Sequence, residues 1–309
     1  IHVWHRCRVA FRMTPMSITQ LPVFEAPAGG RLTDEMVSAY RDAGLIILED
    51  FVGIDACHEL RQRALELVAA FDPEEVRSVF STTDKVQHSD RYFIESGDKI
   101  HFFLEADAFG ADGQLRQSKE ASLNKMGHAM HDLDPVFERF SHSASLAEIA
   151  RRLAVQEAAV LQSMYIFKPP RIGGEVLFHQ DSTYIYTEPE SCIGFWFALE
   201  DATLENGCLH FIPGGHKGPL KERSHRNGEY GLDIEVLDDT PWDIGSALPA
   251  EARAGALVIF DGRAPHYSGP NRSKRSRHAY TLHVIDRCCD YPSDNWLQRG
   301  DDMPLRGFE

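Results

Sequence analysis

The sequence contains no long hydrophobic run, and it carries less positive than negative charge. None of its apolar segments approaches the roughly 18 residues that a membrane-spanning helix needs. Its 32 Lys and Arg residues stand against 47 Asp and Glu residues, which gives a net charge of −15. Since nucleic-acid-binding domains usually present a basic face, nucleic acid is not expected as the main partner. Binding to an anionic membrane is also disfavoured, and residues 1–12 lack the continuous apolar segment of a signal peptide.

Paired cysteine motifs are missing as well. None of the six cysteines forms a C-x-x-C pair, and two of them lie inside apolar segments, where a free thiol is an ordinary small core residue. Adjacent cysteines rarely pair with each other, which applies to the two near the end of the chain. We therefore expect reduced thiols and a cytoplasmic protein. The six positions are Cys7, Cys57, Cys192, Cys208, Cys288 and Cys289.

The chain is predicted to have a short leader followed by one domain. Residues 17–32 are rich in Pro and Gly, so residues 1–32 are predicted to be a poorly ordered leader, with Met13 or Met16 as the natural first residue. Residues 33–309 are predicted to form a single domain, with a helical part over about 33–158 and a β part over about 159–290.

Apolar residues at helical spacing predict five helices in the first half of the chain. Thr33 is a capping residue with acids after it in the first turn, and Gly44 ends that helix. Asp55 is predicted to cap the second helix. The other three helices are predicted at Ser122–Met130, Pro135–Phe140 and Ser145–Leu153.

From Ala159 onward, short apolar segments alternate with turns that contain Gly or Pro. Because no β-α-β alternation is visible, the fold class is predicted to be mainly β with flanking helices. Its core is predicted to be a double-stranded β-helix, that is, a cupin-like jelly roll. Glu205-Asn206-Gly207 predicts a turn to a returning strand at Cys208–Ile212. Residues 217–251 depart from the strand rhythm and are predicted to form a mobile lid or rim.

The clearest chemical signal is His179-Gln180-Asp181, which follows a predicted strand over residues 175–178. Residues i and i+2 of a strand point to the same face, so His179 and Asp181 can aim at one metal while Gln180 points away. A surface hydrogen-bonding pair is the simpler interpretation, and the motif alone does not decide. A second histidine, His266, lies far downstream. Two histidines and one carboxylate can hold three positions of an octahedral Fe(II), leaving three for co-substrate and O2.

Two other histidine groups are weaker candidates for a metal site. His88-Ser89-Asp90 repeats the His-x-Asp spacing, but it lies in a polar run without a strand pattern. His128 and His131 are three residues apart on a predicted helix, and no third ligand is apparent. We expect this pair to be mostly solvated or capping.

Arg277 lies eleven residues after His266, at the start of a predicted strand. Its guanidinium is a fixed fork that matches a carboxylate bidentately. A 2-oxoglutarate molecule that chelates iron through its 2-oxo acid end needs such an anchor for its distal carboxylate. Ser268, on the same face as His266, can donate a further hydrogen bond. The alternative for Arg277 is a solvated surface charge, since three more basic residues lie within residues 272–275.

Over most of its length the sequence resembles the phytanoyl-CoA dioxygenase family of Fe(II)/2-oxoglutarate-dependent oxygenases. The resemblance is strongest to the branch of phytanoyl-CoA dioxygenase domain-containing proteins, and it extends roughly from Leu45 to Leu297. The matching segments include Gln162–Lys168, Gly174–Val176, His179–Asp181, Tyr186–Pro189, Leu199–Cys208, Pro213–His216 and Arg277–Tyr280.

The resemblance implies a role for eight residues. The implied iron ligands are His179, Asp181 and His266, and the implied 2-oxoglutarate contacts are Arg277, Ser268, Lys125, Met164 and Trp196. From the residues alone, Met164 and Trp196 would be core residues and Lys125 a solvated helix charge. Because the carboxylate of Asp181 is present, the resemblance is to a hydroxylase and not to a halogenase.

We therefore expect a dioxygenase that uses Fe(II), 2-oxoglutarate and O2 to hydroxylate a C–H bond of a small organic or acyl substrate, with decarboxylation of 2-oxoglutarate to succinate. One alternative is a metal-binding jelly roll without turnover, which would need no carboxylate anchor. Another is a hydrolase or isomerase, which would need a base beside the metal that we cannot identify. The family name suggests an acyl-CoA substrate. Six basic residues are candidate phosphate contacts: Lys168, Arg171, Lys217, Lys221, Arg223 and Arg226.

Overall fold

The computed structural model of the chain describes residues 18–73, 77–83, 88 and 90–308. Much of the predicted leader, residues 1–17, lies outside this part. Within the rest of it, Val23–Glu25 forms a strand that pairs in parallel with Leu45–Glu49. No helix among the described residues is both long and apolar enough to cross a membrane.

All α-helices in the described residues precede residue 153, as the sequence predicted. They are α1 (Asp34–Ala43), α2 (Ile54–Ala70), α3 (Arg91–Ile94), α4 (Met130–Leu133), α5 (Pro135–Ser141) and α6 (Ala144–Arg152). The predicted cap of α1 is confirmed, because Thr33 Oγ1 accepts a hydrogen bond from Met36 N at 3.2 Å, and Gly44 ends the helix with φ of 82°. The predicted cap of α2 is wrong: Gly53 is the N-cap and Asp55 lies in the first turn.

Fifteen strands make up the β part of the described residues. They are β1 (Val23–Glu25), β2 (Leu45–Glu49), β3 (Val79–Phe80), β4 (Ile100–Glu105), β5 (Leu123–His128), β6 (Ala158–Ile166), β7 (Val176–His179), β8 (Ile193–Ala198), β9 (Leu209–Phe211), β10 (Glu222–Asn227), β11 (Gly231–Val236), β12 (Leu248–Ala250), β13 (Leu257–Asp261), β14 (His266–Ser268) and β15 (Ala279–Asp286). The major sheet has the order β1-β2-β13-β8-β15-β6-β5-β4-β3, the minor sheet has the order β12-β9-β14-β7, and β10 and β11 form a separate hairpin.

The alternation of side chains along the major sheet divides the core into layers. On β8, Phe195 and Phe197 pack in one cluster with the apolar faces of the helices. Trp196 and Ala198 pack in a second cluster with Phe211 of the minor sheet. The major sheet is therefore buried on both faces, by helices outside and by the minor sheet inside. The prediction of a β jelly roll with helices packed outside is confirmed.

Two local predictions are wrong, and a third segment is more regular than predicted. The predicted helix Ser122–Met130 is instead strand β5, which lies between β4 and β6. The turn at residues 205–207 does not lead to a strand paired with β8, because β9 pairs with β12 and β14 of the minor sheet. Residues 217–251 contain regular structure, since β10 and β11 pair over six positions and β12 joins the minor sheet. Their mostly half-exposed polar residues concealed the strand pattern.

Candidate active site

The two candidate iron-binding histidines face each other across neighbouring strands. His179 ends β7 and His266 begins β14, and the antiparallel register makes them direct partners with ring centroids 4.1 Å apart. Asp181 follows two residues after His179, in a 3₁₀ turn that replaces the predicted continuation of the strand. One ligand atom from each of the three residues lies within 4.8 Å of the others, a grouping found nowhere else among the described residues.

The backbone fixes both imidazoles with the same nitrogen facing the site. Nδ1 of His179 bonds the carbonyl oxygen of Leu177 at 2.8 Å, and Nδ1 of His266 bonds that of Ala264 at 3.0 Å. Because Nδ1 acts as the donor, each Nε2 keeps a lone pair for a metal. These Nε2 atoms lie 3.4 Å and 3.6 Å from Asp181 Oδ1. Burial lowers the pKa of His266 to about 4, so its imidazole is neutral at pH 7.

Gln180, between the two ligands, points away from the site as predicted. Its side-chain nitrogen donates to the carbonyl oxygens of Pro219 and Arg263, and its oxygen accepts from Lys221 N. This buried amide ties the ligand-bearing segment to two loops.

Asp181 has a second buried partner that the sequence did not suggest. Its Oδ2 accepts a hydrogen bond from His283 Nε2 at 2.8 Å, which leaves Oδ1 to face the two histidines. Burial alone would raise the pKa of Asp181, but His283, His266 and His179 hold it well below its usual value. A signal was available in the sequence, because Thr281 and His283 place polar groups at alternate positions of an otherwise apolar strand.

Arg277 lines the same cavity as the triad, and its side chain is unusually buried. Its side chain is 1% exposed, and Nη2 donates to Ser268 Oγ at 3.4 Å. Its Nε and Nη1 have no hydrogen-bond partner among the described residues. Burial lowers the pKa of Arg277 only to about 10, so it stays charged at pH 7. A buried guanidinium with two unpaired nitrogens is costly, which suits a site for an anion. The alternative of a solvated surface charge is wrong.

Lys125, Met164 and Trp196 line the same cavity of about 300 Å³ as Arg277 and the triad. Lys125 is 7% exposed on β5, so the interpretation as a solvated helix charge is wrong. Its Nζ lies 3.8 Å from Met164 Sδ and 3.4 Å from the ring centroid of Phe80. Burial lowers its pKa to about 7. The ring centroid of Trp196 lies 5.2 Å from the guanidinium carbon of Arg277. The Nε1 of Trp196 has no hydrogen-bond partner in the described part of the chain.

Two buried charged residues were not predicted as contacts of the metal or of 2-oxoglutarate. Lys168, a candidate phosphate contact on sequence grounds, is 2% exposed and places Nζ 2.9 Å from Ser268 Oγ. Glu105 is 1% exposed and accepts a hydrogen bond from Gly174 N at 3.1 Å. Burial raises the pKa of Glu105 and lowers the pKa of Lys168.

The other histidine groups do not join the metal site. His88 lies on the cavity wall but outside the three-ligand group, and Ser89 lies outside the described residues. His128 and His131 are fully buried, not solvated or capping. Their Nδ1 atoms bond Ser96 Oγ at 2.7 Å and Ser163 Oγ at 2.9 Å, respectively.

Four of the remaining candidate phosphate contacts already have partners in the protein. Lys217 and Lys221 each lie 3.4 Å from an aspartate oxygen, and Arg223 forms an ion pair with Asp294 at 2.7 Å. Arg226 donates to the carbonyl oxygen of Trp296 at 2.8 Å. These side chains therefore anchor surface segments to one another.

Two imidazoles, a carboxylate and a buried unpaired guanidinium around one cavity of a jelly roll define a Fe(II)- and 2-oxoglutarate-dependent dioxygenase. The donor set suits Fe(II), and the orphaned nitrogens of Arg277 suit a carboxylate. Comparison with known proteins identifies the family. The family model described as phytanoyl-CoA dioxygenase (PhyH) matches residues 40–279, so the chain belongs to the phytanoyl-CoA dioxygenase family.

Similar proteins cover nearly the whole chain. Phytanoyl-CoA dioxygenase 1 of Oryza sativa subsp. japonica is 46% identical over 277 residues, with 88% of this chain and 96% of the rice protein covered. Phytanoyl-CoA dioxygenase domain-containing protein 1 of Danio rerio is 41% identical over 283 residues, with 89% and 97% covered. The crystal structure of EvdO2 from Micromonospora carbonacea var. aurantiaca complexed with 2-oxoglutarate is 25% identical, with a TM-score of 0.54 and 87% and 98% covered.

Proposed function

We propose that this dioxygenase hydroxylates a C–H bond of an organic substrate bound in the apolar part of the cavity. His179, Asp181 and His266 would hold Fe(II), while Arg277, Ser268, Lys125, Met164 and Trp196 would surround 2-oxoglutarate. The observation that carries this proposal is the buried guanidinium of Arg277, which faces the triad's cavity with two unpaired nitrogens. A module that only holds metal has no use for this costly feature.

The bound iron and 2-oxoglutarate would supply the O2-dependent oxidising chemistry, and the chain's residues orient and shield the reactants. The hydrogen bonds that each Nδ1 donates to Leu177 O or Ala264 O keep the imidazole in the tautomer that binds metal. His283 holds one oxygen of Asp181, so that the other is free for the metal. Arg277 and Ser268 orient the co-substrate through its distal carboxylate.

The rest of the cavity wall favours an apolar substrate. Glu222 is its one carboxylate besides Asp181 among the described residues. Much of the wall is aromatic or aliphatic, and it includes Phe80, Phe93, Leu177, Tyr184, Ile185, Leu232 and Trp296.

An acyl chain fits this wall, and the rice relative bears the name of an acyl-CoA dioxygenase. A CoA head group would instead have to compete for basic side chains that already bond to Asp294 and Trp296. We therefore propose that the apolar body of the substrate, and not a phosphate group, is what the site recognises.

Succinate formation tests this proposal. Purified protein with Fe(II), 2-oxoglutarate and O2 is expected to form succinate, and a true substrate should increase the rate. Phytanoyl-CoA, the free branched acid and the corresponding alcohol form a graded series for this measurement. Absence of succinate in the wild type under aerobic conditions, when an inactive Asp181→Ala control behaves identically, would contradict the proposed activity.

We also propose that residues 33–309 act as one catalytic domain in the cytoplasm, with a small molecule and not nucleic acid as substrate. Support for the compartment comes from the thiols, since the described cysteines Cys57, Cys192, Cys208, Cys288 and Cys289 are all unpaired. Support against nucleic acid comes from the net charge of −15.

A further inference from the structure

Lys168 lies in an unusual place for a lysine. It follows β6, its side chain is 2% exposed, and its backbone is left-handed, with φ of 40°. Left-handed conformations of residues other than glycine store strain and cluster at ligand sites. Burying an ammonium group is costly as well. Because Lys168 combines both unfavourable features, we expect its side chain to have a function in the cavity that it lines.

The ammonium group of Lys168 meets the guanidinium of Arg277 at a single hydroxyl. Its Nζ donates to Ser268 Oγ at 2.9 Å and to Gly174 O at 2.5 Å. Arg277 Nη2 reaches the same Ser268 Oγ at 3.4 Å. An ammonium has three donors, so one donor of Lys168 is left over. Two buried cationic side chains with spare donors therefore converge on one point of the cavity wall.

Among the described residues, no carboxylate lies within ion-pair distance of either cation. The charge of the buried acid Glu105 acts on both Lys168 and Arg277, but its carboxylate accepts a hydrogen bond from Gly174 N and pairs directly with neither. Space for the lysine chain is kept by Gly207, where a Cβ atom would stand 2.8 Å from Lys168 Cε. A direct anionic partner for the two cations is therefore left for a ligand to supply.

We propose that Lys168 is a direct contact of the distal carboxylate of 2-oxoglutarate, which it shares with Arg277 and Ser268. This inference rests on the proposed function, because it assumes that 2-oxoglutarate occupies this cavity. Contact with a carboxylate favours the charged form of the lysine. Two cations on one carboxylate would also make the site selective for 2-oxo acids that carry a second negative charge.

A purely structural role is the competing explanation. Lys168 binds Gly174 O, and Glu105 binds Gly174 N, so the pair could simply fix the loop before β7. The two roles differ in what they predict for a ligand without a distal carboxylate. A loop-fixing lysine affects every ligand of the cavity, whereas a carboxylate contact affects only ligands that have the carboxylate.

The test is calorimetric titration of Mn(II)-loaded protein, without O2, with 2-oxoglutarate and with 2-oxopentanoate, which lacks the distal carboxylate. Lys168→Met is expected to weaken 2-oxoglutarate binding about ten- to a hundredfold, the effect of losing one charged hydrogen bond. Binding of 2-oxopentanoate should change less than about threefold. Lys119→Met is the matched control, since that lysine also donates two hydrogen bonds to oxygens of the protein, in its case the carbonyls of Ala69 and Phe71, but lies outside the cavity.

Equal losses for both ligands, or no loss for either, would overturn the assignment of Lys168. A wild type that does not prefer 2-oxoglutarate to 2-oxopentanoate would instead contradict the proposed function, so the two failures are distinguishable. If Lys168→Met does not fold, Glu105→Gln/Lys168→Met removes both buried charges together and is expected to show the same selective loss. Lys168→Gln keeps a hydrogen-bond donor without the charge. Binding of 2-oxoglutarate and of 2-oxopentanoate is compared in this variant in the same way.

Discussion

The imidazoles of His179 and His266 are oriented by the backbone before any metal binds. Each Nδ1 is bonded to a carbonyl oxygen two residues earlier in the chain, so the ring orientation follows directly from the local backbone. The carboxylate of Asp181 is oriented by a distant side chain, His283 of β15. The three ligands therefore depend on the fold to different degrees.

Removing a ligand should abolish iron binding and leave the jelly roll folded. His179→Ala and Asp181→Ala each leave only two protein ligands, so metal analysis after loading with Fe(II) is expected to show nearly complete loss. His88→Ala is the control, and it should keep the iron content of the wild type because His88 lies outside the ligand group. Stoichiometric iron in both ligand variants would show that the site is elsewhere.

His283 should tune the metal through Asp181. His283→Asn shortens the side chain and breaks the 2.8 Å contact, so the carboxylate is free to rotate. Loss of such an outer partner typically costs about ten- to a hundredfold in metal affinity. Competition with a metal indicator would measure the change. His210→Asn, a histidine beside Tyr267 and outside the cavity, should keep the wild-type affinity. Equal affinity in all three proteins would mean that His283 only fills space.

Arg277→Lys should not be a conservative change. Lysine offers a point charge where, in the proposed site, a two-pronged fork would meet a carboxylate. Loss of one charged hydrogen bond costs roughly 1.5–3 kcal/mol, which corresponds to about ten- to a hundredfold in 2-oxoglutarate affinity. Arg277→Ala should lose more, and iron binding should be largely kept in both variants. Calorimetry with 2-oxoglutarate checks this, and unchanged affinity in both variants would remove the main support for the co-substrate site.

Among the structural elements, the β10–β11 hairpin gives the predicted lid a definite form. Leu232 and Glu222 of the hairpin line the cavity. Arg223 and Arg226 connect β10 to Asp294 and to the carbonyl oxygen of Trp296. The hairpin is therefore a regular element that closes one wall of the cavity and is tied to the C-terminal segment by two arginines. Its mobility stays a prediction.

Loss of one of these ties should loosen the hairpin selectively. Arg226→Met removes two hydrogen bonds to the carbonyl oxygen of Trp296, each worth about 1 kcal/mol. Amide hydrogen exchange in β10 and β11 should accelerate roughly tenfold or more, with β15 unchanged. Arg171→Met, at an exposed arginine, is the control. Acceleration of equal size in β15 would mean that the hairpin does not open as a separate unit.

At the scale of the whole molecule, one half-buried aspartate attaches the C-terminal segment to the helical layer. Asp132 of α4 accepts a hydrogen bond from Arg299 and lies 3.4 Å from Arg306 and 3.3 Å from His131. Burial alone would raise its pKa, but the neighbouring side chains of His142, His131 and Arg299 hold the pKa of Asp132 well below its usual value. The ion pair thus links residues that are more than 160 positions apart.

Asp132→Asn should destabilise the protein in a pH-dependent way. The variant leaves Arg299, with a side chain 6% exposed, without its charge partner. A broken buried pair costs about 3 kcal/mol or more. Because the folded pKa of the carboxyl is depressed, the wild-type advantage should be constant above about pH 5 and should shrink as the pH falls below about 4, the unfolded value. Urea unfolding of both proteins between pH 3.5 and 7 measures this, and a difference that grows on acidification would contradict it.

Short-range patterns in the sequence were enough to predict several features of the fold and of the site. The i, i+2 spacing predicted that His179 and Asp181 face one site, although Asp181 lies in a 3₁₀ turn after the strand. A capping residue, with a left-handed glycine after the helix, marks α1. The arrangement of short strands without β-α-β alternation predicted the jelly roll. The spacing and the helix cap involve only residues close in the chain, and the fold class was predicted from the absence of β-α-β alternation along it.

Features that depend on distant partners could not be predicted in this way. The Ser122–Met130 segment has helical spacing but becomes β5 because β4 and β6 offer backbone partners on both sides. The burial of Lys168 and His128 also depends on distant partners. A polar residue at a given sequence position is solvated or buried depending on what packs over it.

The sequence by itself determined the chemistry of this protein, because the donor types and their i, i+2 spacing are written locally. Only the tertiary structure decided which charges are left unpaired. Arg277 and Lys168 meet at Ser268 from three separate segments of the chain, and the free energy of burying them depends on that convergence. Local spacing carries no information about such a meeting, whereas the packed jelly roll fixes it to within hydrogen-bond distance.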